Sequence, residues 1–211
     1  GFCYTLNKLR NRGILMKIPL THGNWENKLF HGYTVRFPYT PKLIQEQDCI
    51  RNGRNPQMRD GFDYTSLLTK ETYSYKTEIA TTCSFEKFGA PMLLLVDDVK
   101  EDEAGNLWYG GCYEVVLFEE GINVWKHYMV GDKVKWVKLF FAAFPVDVNT
   151  KYELRTTILE TGFEIALNDK KYFLRIDDLP AQMHVGFTAG EDINRFYDFS
   201  IHLPTDNSGK E

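Results

Sequence analysis

From residue 72 onward apolar and polar side chains alternate with a period of two, and turn residues break the pattern at intervals of about ten residues. Successive side chains of an extended strand point to opposite faces, so this rhythm demands strands and leaves no room for a helical bundle. "YSYKTEIATTCSF" sets Tyr75, Thr77, Ile79, Thr81, Cys83 and Phe85 against Lys76, Glu78, Ala80, Thr82 and Ser84. "CYEVVLFEEGINVWKHYMV" reads as two strands joined at "EEG", a hairpin signal. "KWVKLFFAAF", "KYELRTTIL", "GFEIALND", "KYFLRI", "QMHVGFTAG" and "RFYDFSIHL" carry the alternation to the end. No stretch sustains a 3.6-residue period, so helices are expected to be few and short. A two-sheet antiparallel sandwich or a barrel follows.

The 211 residues suit one domain, and 43% hydrophobic with 15% aromatic residues suffices for a large core. A net charge of -4 supplies no basic field, so nucleic acid is not an expected partner. No apolar run reaches the roughly 20 residues of a membrane helix, so no membrane is expected either. "GFCYTLNKLRNRGILMK" has no uninterrupted apolar stretch and is not a complete signal peptide. "MKIPLTHGNWENKLF" from Met16 reads like an ordinary protein start. Residues 1–15 are therefore expected to be an extension, either non-native or upstream of the natural initiator. One domain is expected over 16–203, and the tail 204–211, "PTDNSGKE", is expected to fray. Residues 40–62 are rich in Gly, Pro, Asn and charge, which predicts a long loop with at most one helical turn. Cys3, Cys49, Cys83 and Cys112 are scattered without a CxxC pair. Reduced structural thiols and a cytoplasmic location are the expectation, with secretion the alternative if the true N-terminus is missing.

The C-terminal third, "KYELRTTILETGFEIALNDKKYFLRI" followed by "MHVGFTAGEDINRFYDFSIH", resembles the concanavalin A-like lectin/glucanase superfamily, including laminin-G-type domains. That superfamily carries a strand, a hairpin of the form apolar-x-apolar-Asn-Gly-Lys, a "xxVGF" strand and a closing strand ending in "DFSI". Here Asn168 and Asp169 occupy the turn, and both tolerate the left-handed backbone it needs. The resemblance covers residues 72–203 and implies an all-β jelly roll with a glycan-binding concave face. Laminarinase-related members carry a Glu-x-Asp-x-x-Glu strand, which this chain lacks. "YELR" at 152–155 echoes an alginate-lyase strand, but its companion "QIH" is missing and "QMH" stands at 182–184.

Two clusters carry candidate chemistry. In "LLLVDDVKEDEAGNLWYGG" five acidic residues stand between an apolar run and Trp108. Asp97, Asp98 and Asp102 offer hard oxygen ligands for calcium, whereas "EDEAGN" also reads as a solvated hairpin tip. The second cluster follows from parity. Side chains two apart share a face, which groups Asn123, Trp125 and His127 on one strand, and Glu114 with Cys112 and Val116 on another. Were the strand of Lys76 and Glu78 to lie alongside, one face would present Lys76, Glu78, Glu114, Asn123, Trp125 and His127. An indole flanked by carboxylates and amides suits a sugar, whose C–H groups stack on the ring while its hydroxyls meet donors and acceptors. A non-catalytic binder of oligo- or polysaccharide is therefore expected, without an obligatory cofactor. The alternatives are a glycoside hydrolase using Glu78 and Glu114, a lyase using His127, or a homodimer or accessory subunit packing its open sheet on another protein. Trp108 and Trp136 read as strand packing, and Arg195 is expected to pair with Asp192 or Asp198.

Overall fold

The computed structural model of the protein describes residues 13–38, 43–55, 64 and 66–203. The strands run in chain order as β1 (Leu15–Pro19), β2 (Leu29–Thr34), β3 (Ile44–Gln45), β4 (Ile50–Arg51), β5 (Ser66–Tyr73) and β6 (Glu78–Phe85). They continue as β7 (Ala90–Val96), β8 (Val99–Glu101), β9 (Leu107–Tyr109), β10 (Cys112–Phe118), β11 (Gly121–Val130) and β12 (Lys133–Ala143). The chain closes with β13 (Tyr152–Leu159), β14 (Gly162–Leu167), β15 (Lys170–Arg175), β16 (Met183–Gly190) and β17 (Asn194–His202). Among the described residues there is no helix, so the few short helices expected from the sequence do not form there.

Two sheets face each other. One runs β15-β14-β13-β6-β17-β4-β3, with β1 paired to β17 as its eighth strand. The other has nine strands in the order β12-β11-β10-β7-β16-β5-β2-β9-β8. Pairing is antiparallel except between β2 and β9. Between the sheets lies one large apolar cluster in which Tyr113, Val115, Leu117, Ile122 and Val124 of β10 and β11 meet Phe163, Ile165 and Phe199 of the opposite sheet. The ring of Phe187 packs against Phe196 and Phe199 at centroid distances of 4.6 and 5.5 Å.

Local chemistry explains the tight turns. Gly121, which opens β11, has φ +135, and a Cβ there would lie 2.0 Å from the Ala142 carbonyl oxygen, so only glycine lets β12 approach. Asn168 takes φ 48 in the β14–β15 turn, the left-handed conformation expected of it. The region around 40–62 differs from expectation. Its described part contributes β3 and β4 to the sheet edge, and residues 39–42 and 56–63 lie outside the described residues, as does the 204–211 tail. Arg195 also differs. β4 pairs with β17 and places Arg51 beside Arg195, so both guanidiniums share Glu46, at 2.6 and 3.2 Å. Arg195 further bonds Glu86 at 2.8 Å, while Asp198 goes to Lys17 at 2.7 Å.

Cys49, Cys83 and Cys112 are free and buried; Cys3 lies outside the described residues. Burial pushes the Cys83 and Cys112 thiols up. Burial and the neighbouring Glu46 carboxylate push Cys49 up to about 12. Neutral, enclosed thiols are poor nucleophiles. Cys83 and Cys112 should therefore resist an aromatic disulfide reagent at mildly alkaline pH until denaturant is added; fast labelling of the native protein would contradict this. Phe187→Ala removes a ring that is 0% exposed. It should lower unfolding free energy by about 3–5 kcal/mol in a urea titration.

Candidate functional site

Register decides which side chains leave the core. In β10 and β11 the apolar set Tyr113, Val115, Leu117, Ile122 and Val124 points into the sandwich. Cys112, Glu114, Val116, Asn123, Trp125 and His127 must then point to the outer, concave face. Cross-strand pairing sorts them into rows. Cys112 lies opposite His127 and Trp136; Glu114 opposite Trp125 and Lys138; Val116 opposite Asn123 and Phe141. On β7 and β16 the same rows continue as Val96 and His184, Leu94 and Gly186, and Met92 and Thr188. Small and apolar residues in the middle of the sheet thus floor a cleft of about 300 Å³. Glu114, Asn123, Trp125, His127, Trp136 and Thr188 line it, with Arg36, Phe37 and Tyr64 contributed by the N-terminal part of the chain.

The side chains of Glu114 and His127 are only 14% and 8% exposed, and His127 Nε2 lies 3.1 Å from Glu114 Oε2. Pairing offsets the desolvation that burial imposes on both. The contact holds the imidazole with its Nδ1 away from Glu114. That Nδ1 and Asn123 Oδ1 are buried without a partner among the described residues. An unpaired buried polar atom costs about 1–3 kcal/mol, so this face retains hydrogen-bonding capacity that the fold itself does not use.

Trp125 packs against Ala90, Met92 and Val116 and carries the Lys138 ammonium 4.8 Å from its ring centre. Trp136 is 48% exposed and carries the Arg36 guanidinium at 4.5 Å. On the far wall, Tyr109 is sealed. Its hydroxyl bonds Ser66 Oγ at 2.7 Å, Ser66 bonds Thr188 Oγ1 at 3.0 Å, and burial drives the phenol pKa well above its ordinary value. Beside it, the turn after β16 is pinned by Asn194, whose Nδ2 donates to the carbonyls of Gly190, Glu191 and Asp192. That clamp holds Glu191 at the cleft with φ 50.

The structure brings Glu114, Asn123, Trp125 and His127 together and separates them from Lys76 and Glu78. Glu78 begins β6 in the eight-stranded sheet, paired with Thr157 and His202, and Lys76 sits in the preceding turn with φ 72. The two-glutamate arrangement expected from parity is therefore overturned, because parity sorts faces within a strand and says nothing about which sheet the strand joins. Sequence reasoning missed Arg36, Tyr64, Thr188 and Glu191, and set Trp136 aside as packing. Only for Trp136 was there a usable signal, since β12 returns directly beside β11 and places it opposite His127.

Asp97, Asp98 and Asp102 do not converge. Asp102 organises the tip of the β8–β9 hairpin. Its Oδ1 accepts from the amides of Ala104 and Asn106 at 2.9 and 2.8 Å, and its Oδ2 from the Asn106 amide group at 2.9 Å and Tyr33 at 3.3 Å. Among the described residues, the group with metal-ligand chemistry is Cys112, Glu114 and His127, whose donor atoms lie within 4.8 Å of one another. A thiolate, a carboxylate and an imidazole are zinc-type donors. In this structure the Cys112 thiol is enclosed and the other two side chains engage each other.

No protein-family model matches this sequence, and no curated protein matches it. Its structure is nevertheless similar to known ones. A protein of unknown function with a galectin-like fold from Bacillus subtilis aligns with a TM-score of 0.61 at 10% identity over 90% of this chain and 96% of that one. β-Agarase A from Zobellia galactanivorans aligns with a TM-score of 0.57 at 5% identity, covering 77% and 74% of the two chains. A mixed linkage glucan PUL GH16 from Bacteroides ovatus, in complex with a product, aligns with a TM-score of 0.52 at 11% identity, covering 89% and 94%. The protein has the concanavalin A-like jelly-roll fold.

Hydrogen bonds from Asn106 and from the turn amides hold Asp102 below its ordinary value of 3.8. A carboxylate with a depressed folded pKa stabilises above its unfolded value and loses that contribution as pH falls through the folded one. The amide resonances of Ala104 and Asn106 should therefore titrate together with a midpoint below 3.8. A midpoint at or above that value would show that the turn is not closed by Asp102. Asn194→Ala removes a hydrogen bond from each of three carbonyls, although Asp192 still accepts from Asn52, and should destabilise the fold by about 1–3 kcal/mol in chemical denaturation.

Proposed function

We propose that this protein binds carbohydrate in the concave cleft of its nine-stranded sheet. The observation that carries the reading is the convergence of Trp125 and Trp136 with Glu114, Asn123 and His127 in one concave cleft. Hydroxyls need paired donors and acceptors, and C–H faces need an apolar surface beside them. The unpartnered Asn123 Oδ1 and His127 Nδ1 add unspent hydrogen-bonding capacity at the same place. Similarity of fold to β-agarase A and to a product complex of a mixed linkage glucan GH16 supports the ligand class.

A second reading is polysaccharide cleavage, and the Glu114–His127 contact favours it. A carboxylate that orients a buried imidazole beside a cleft is the arrangement a general base requires. Retaining or inverting hydrolysis needs a second carboxyl at a set distance, and Glu78 cannot supply it from the other sheet.

Calorimetric titration against a panel of oligosaccharides tests both readings. Asn123→Ala and Trp136→Ala should each weaken binding at least tenfold, about 1.4 kcal/mol, while Lys76→Ala and Glu78→Gln should leave it unchanged. Unaltered affinity in the first pair would remove the cleft from consideration. Release of reducing ends or unsaturated uronates by the wild type, abolished in Glu114→Gln and His127→Ala, would make the protein an enzyme.

A further inference from the structure

The cleft does not end at Trp136. Arg36 and Trp136 also line a second depression of about 500 Å³, whose remaining walls are Val35, Asp132, Lys133, Val134 and Lys135. The two hollows form one groove with Arg36 and Trp136 at the junction. Arg36, Lys133 and Lys135 line the second hollow beside Asp132, and Lys138 stands over the Trp125 ring at the first, in a chain whose net charge is -4.

None of these four cations is ion-paired among the described residues. Lys28, Lys70, Lys76, Lys87 and Lys170 are likewise outside any ion pair, but they are scattered, and many other surface cations are paired. Arg51, Arg155, Arg175 and Arg195 each reach a carboxylate, as do Lys17, Lys100, Lys126, Lys151 and Lys171. Arg36 and Lys138 are held by rings instead. The Arg36 guanidinium sits 4.5 Å from the Trp136 centroid and 4.9 Å from Phe37, and the Lys138 ammonium 4.8 Å from Trp125 and 5.6 Å from Phe141. Cation–π contact positions a charge without neutralising it. The indoles therefore serve as mounts for cations, and a neutral sugar stacking on the covered ring surface has to displace them.

We propose that the ligand is an acidic oligosaccharide, one carrying carboxylate or sulfate groups, whose anionic substituents lie on the Arg36, Lys138, Lys133 and Lys135 side of the groove. The inference rests on the carbohydrate reading of the cleft and names the class within it. Polarity across the groove sets the orientation. Glu114 and Glu191 line the cleft itself, repel an acid group and accept hydroxyls, so the charged substituent turns toward the rim. Arg36 is suited to that role because its planar fork meets a carboxylate or sulfate with two parallel hydrogen bonds.

The test is titration of the intact protein with galacturonate, glucuronate and sulfated oligosaccharides, each beside its carboxyl-reduced or desulfated counterpart. The proposal expects at least tenfold tighter binding of the acidic member, weakening with added salt. It also expects at least a tenfold loss in Arg36→Ala and in the Lys133→Ala/Lys135→Ala double variant. Lys76→Ala, which removes the same charge in the turn before β6, should change nothing, and melting curves check that each variant is folded. Preference for uronate over sulfate, or the reverse, identifies the source of the charge and supports the proposal either way. Equal affinity for acidic and neutral members overturns the acidic class and leaves carbohydrate binding standing. An acid preference untouched by Arg36→Ala overturns the assigned groove. Binding of no member of either series overturns both readings.

Discussion

The arrangement of the cleft depends on the two-residue repeat of the β10–β11 hairpin acting against a buried interior. Tyr113, Val115, Leu117, Ile122 and Val124 are all 4% exposed or less. Burying such side chains is worth about 1.5–3 kcal/mol apiece. Sliding either strand by one residue would expose this set and drive Glu114, Asn123, Trp125 and His127 between the sheets. The unfavourable burial of a carboxylate and two polar groups would add to the lost apolar burial. The energetics of the core thus dictate the composition of the opposite face, and the cleft is a consequence of the packing beneath it.

The concave face is itself stratified. Toward β8 and β9, Leu68, Leu94, Val96, Tyr109 and Cys112 form a second apolar cluster under the hairpin whose tip Asp102 closes. Toward β12 the face is open, and Trp125 and Trp136 carry cations. The Ser66, Tyr109 and Thr188 hydroxyl chain and the Asn194 clamp mark the boundary between these halves. The hydroxyl chain is closed within the fold and Asn194 Nδ2 makes three hydrogen bonds there, which gives the cleft a rigid wall. At the floor, His127 Nδ1 and Asn123 Oδ1 keep unused hydrogen-bonding capacity.

Much of the fold was legible because its signals are local. Regular alternation, the "EEG" turn and the Asn168–Asp169 turn act over a few residues, and strands such as β10, β11, β13 and β14 follow them, whereas β7 is an apolar run buried on both faces. The acidic run 97–103 read as a hairpin tip, and the structure shows how: one carboxylate, Asp102, gathers the donors of the turn around itself. The ion pair of Arg195 was misjudged for the opposite reason. Its partners Glu46 and Glu86 lie on distant segments, and the irregular register between Phe196 and Asp198 changes what stands beside it.

By itself the sequence determined which side chains share a face of a strand and, through the short β10–β11 turn, that Glu114, Asn123, Trp125 and His127 belong together. Side-chain alternation and hairpin closure are properties of neighbouring residues, so they survive without knowledge of the whole. Only the tertiary structure decided that Glu78 stands in the opposite sheet, that Arg36 and Tyr64 close the cleft from the N-terminal part of the chain, and that Thr188 and Glu191 join them from β16 and its turn. Strand order is set by which apolar faces bury one another across long stretches of chain, and no local pattern encodes it.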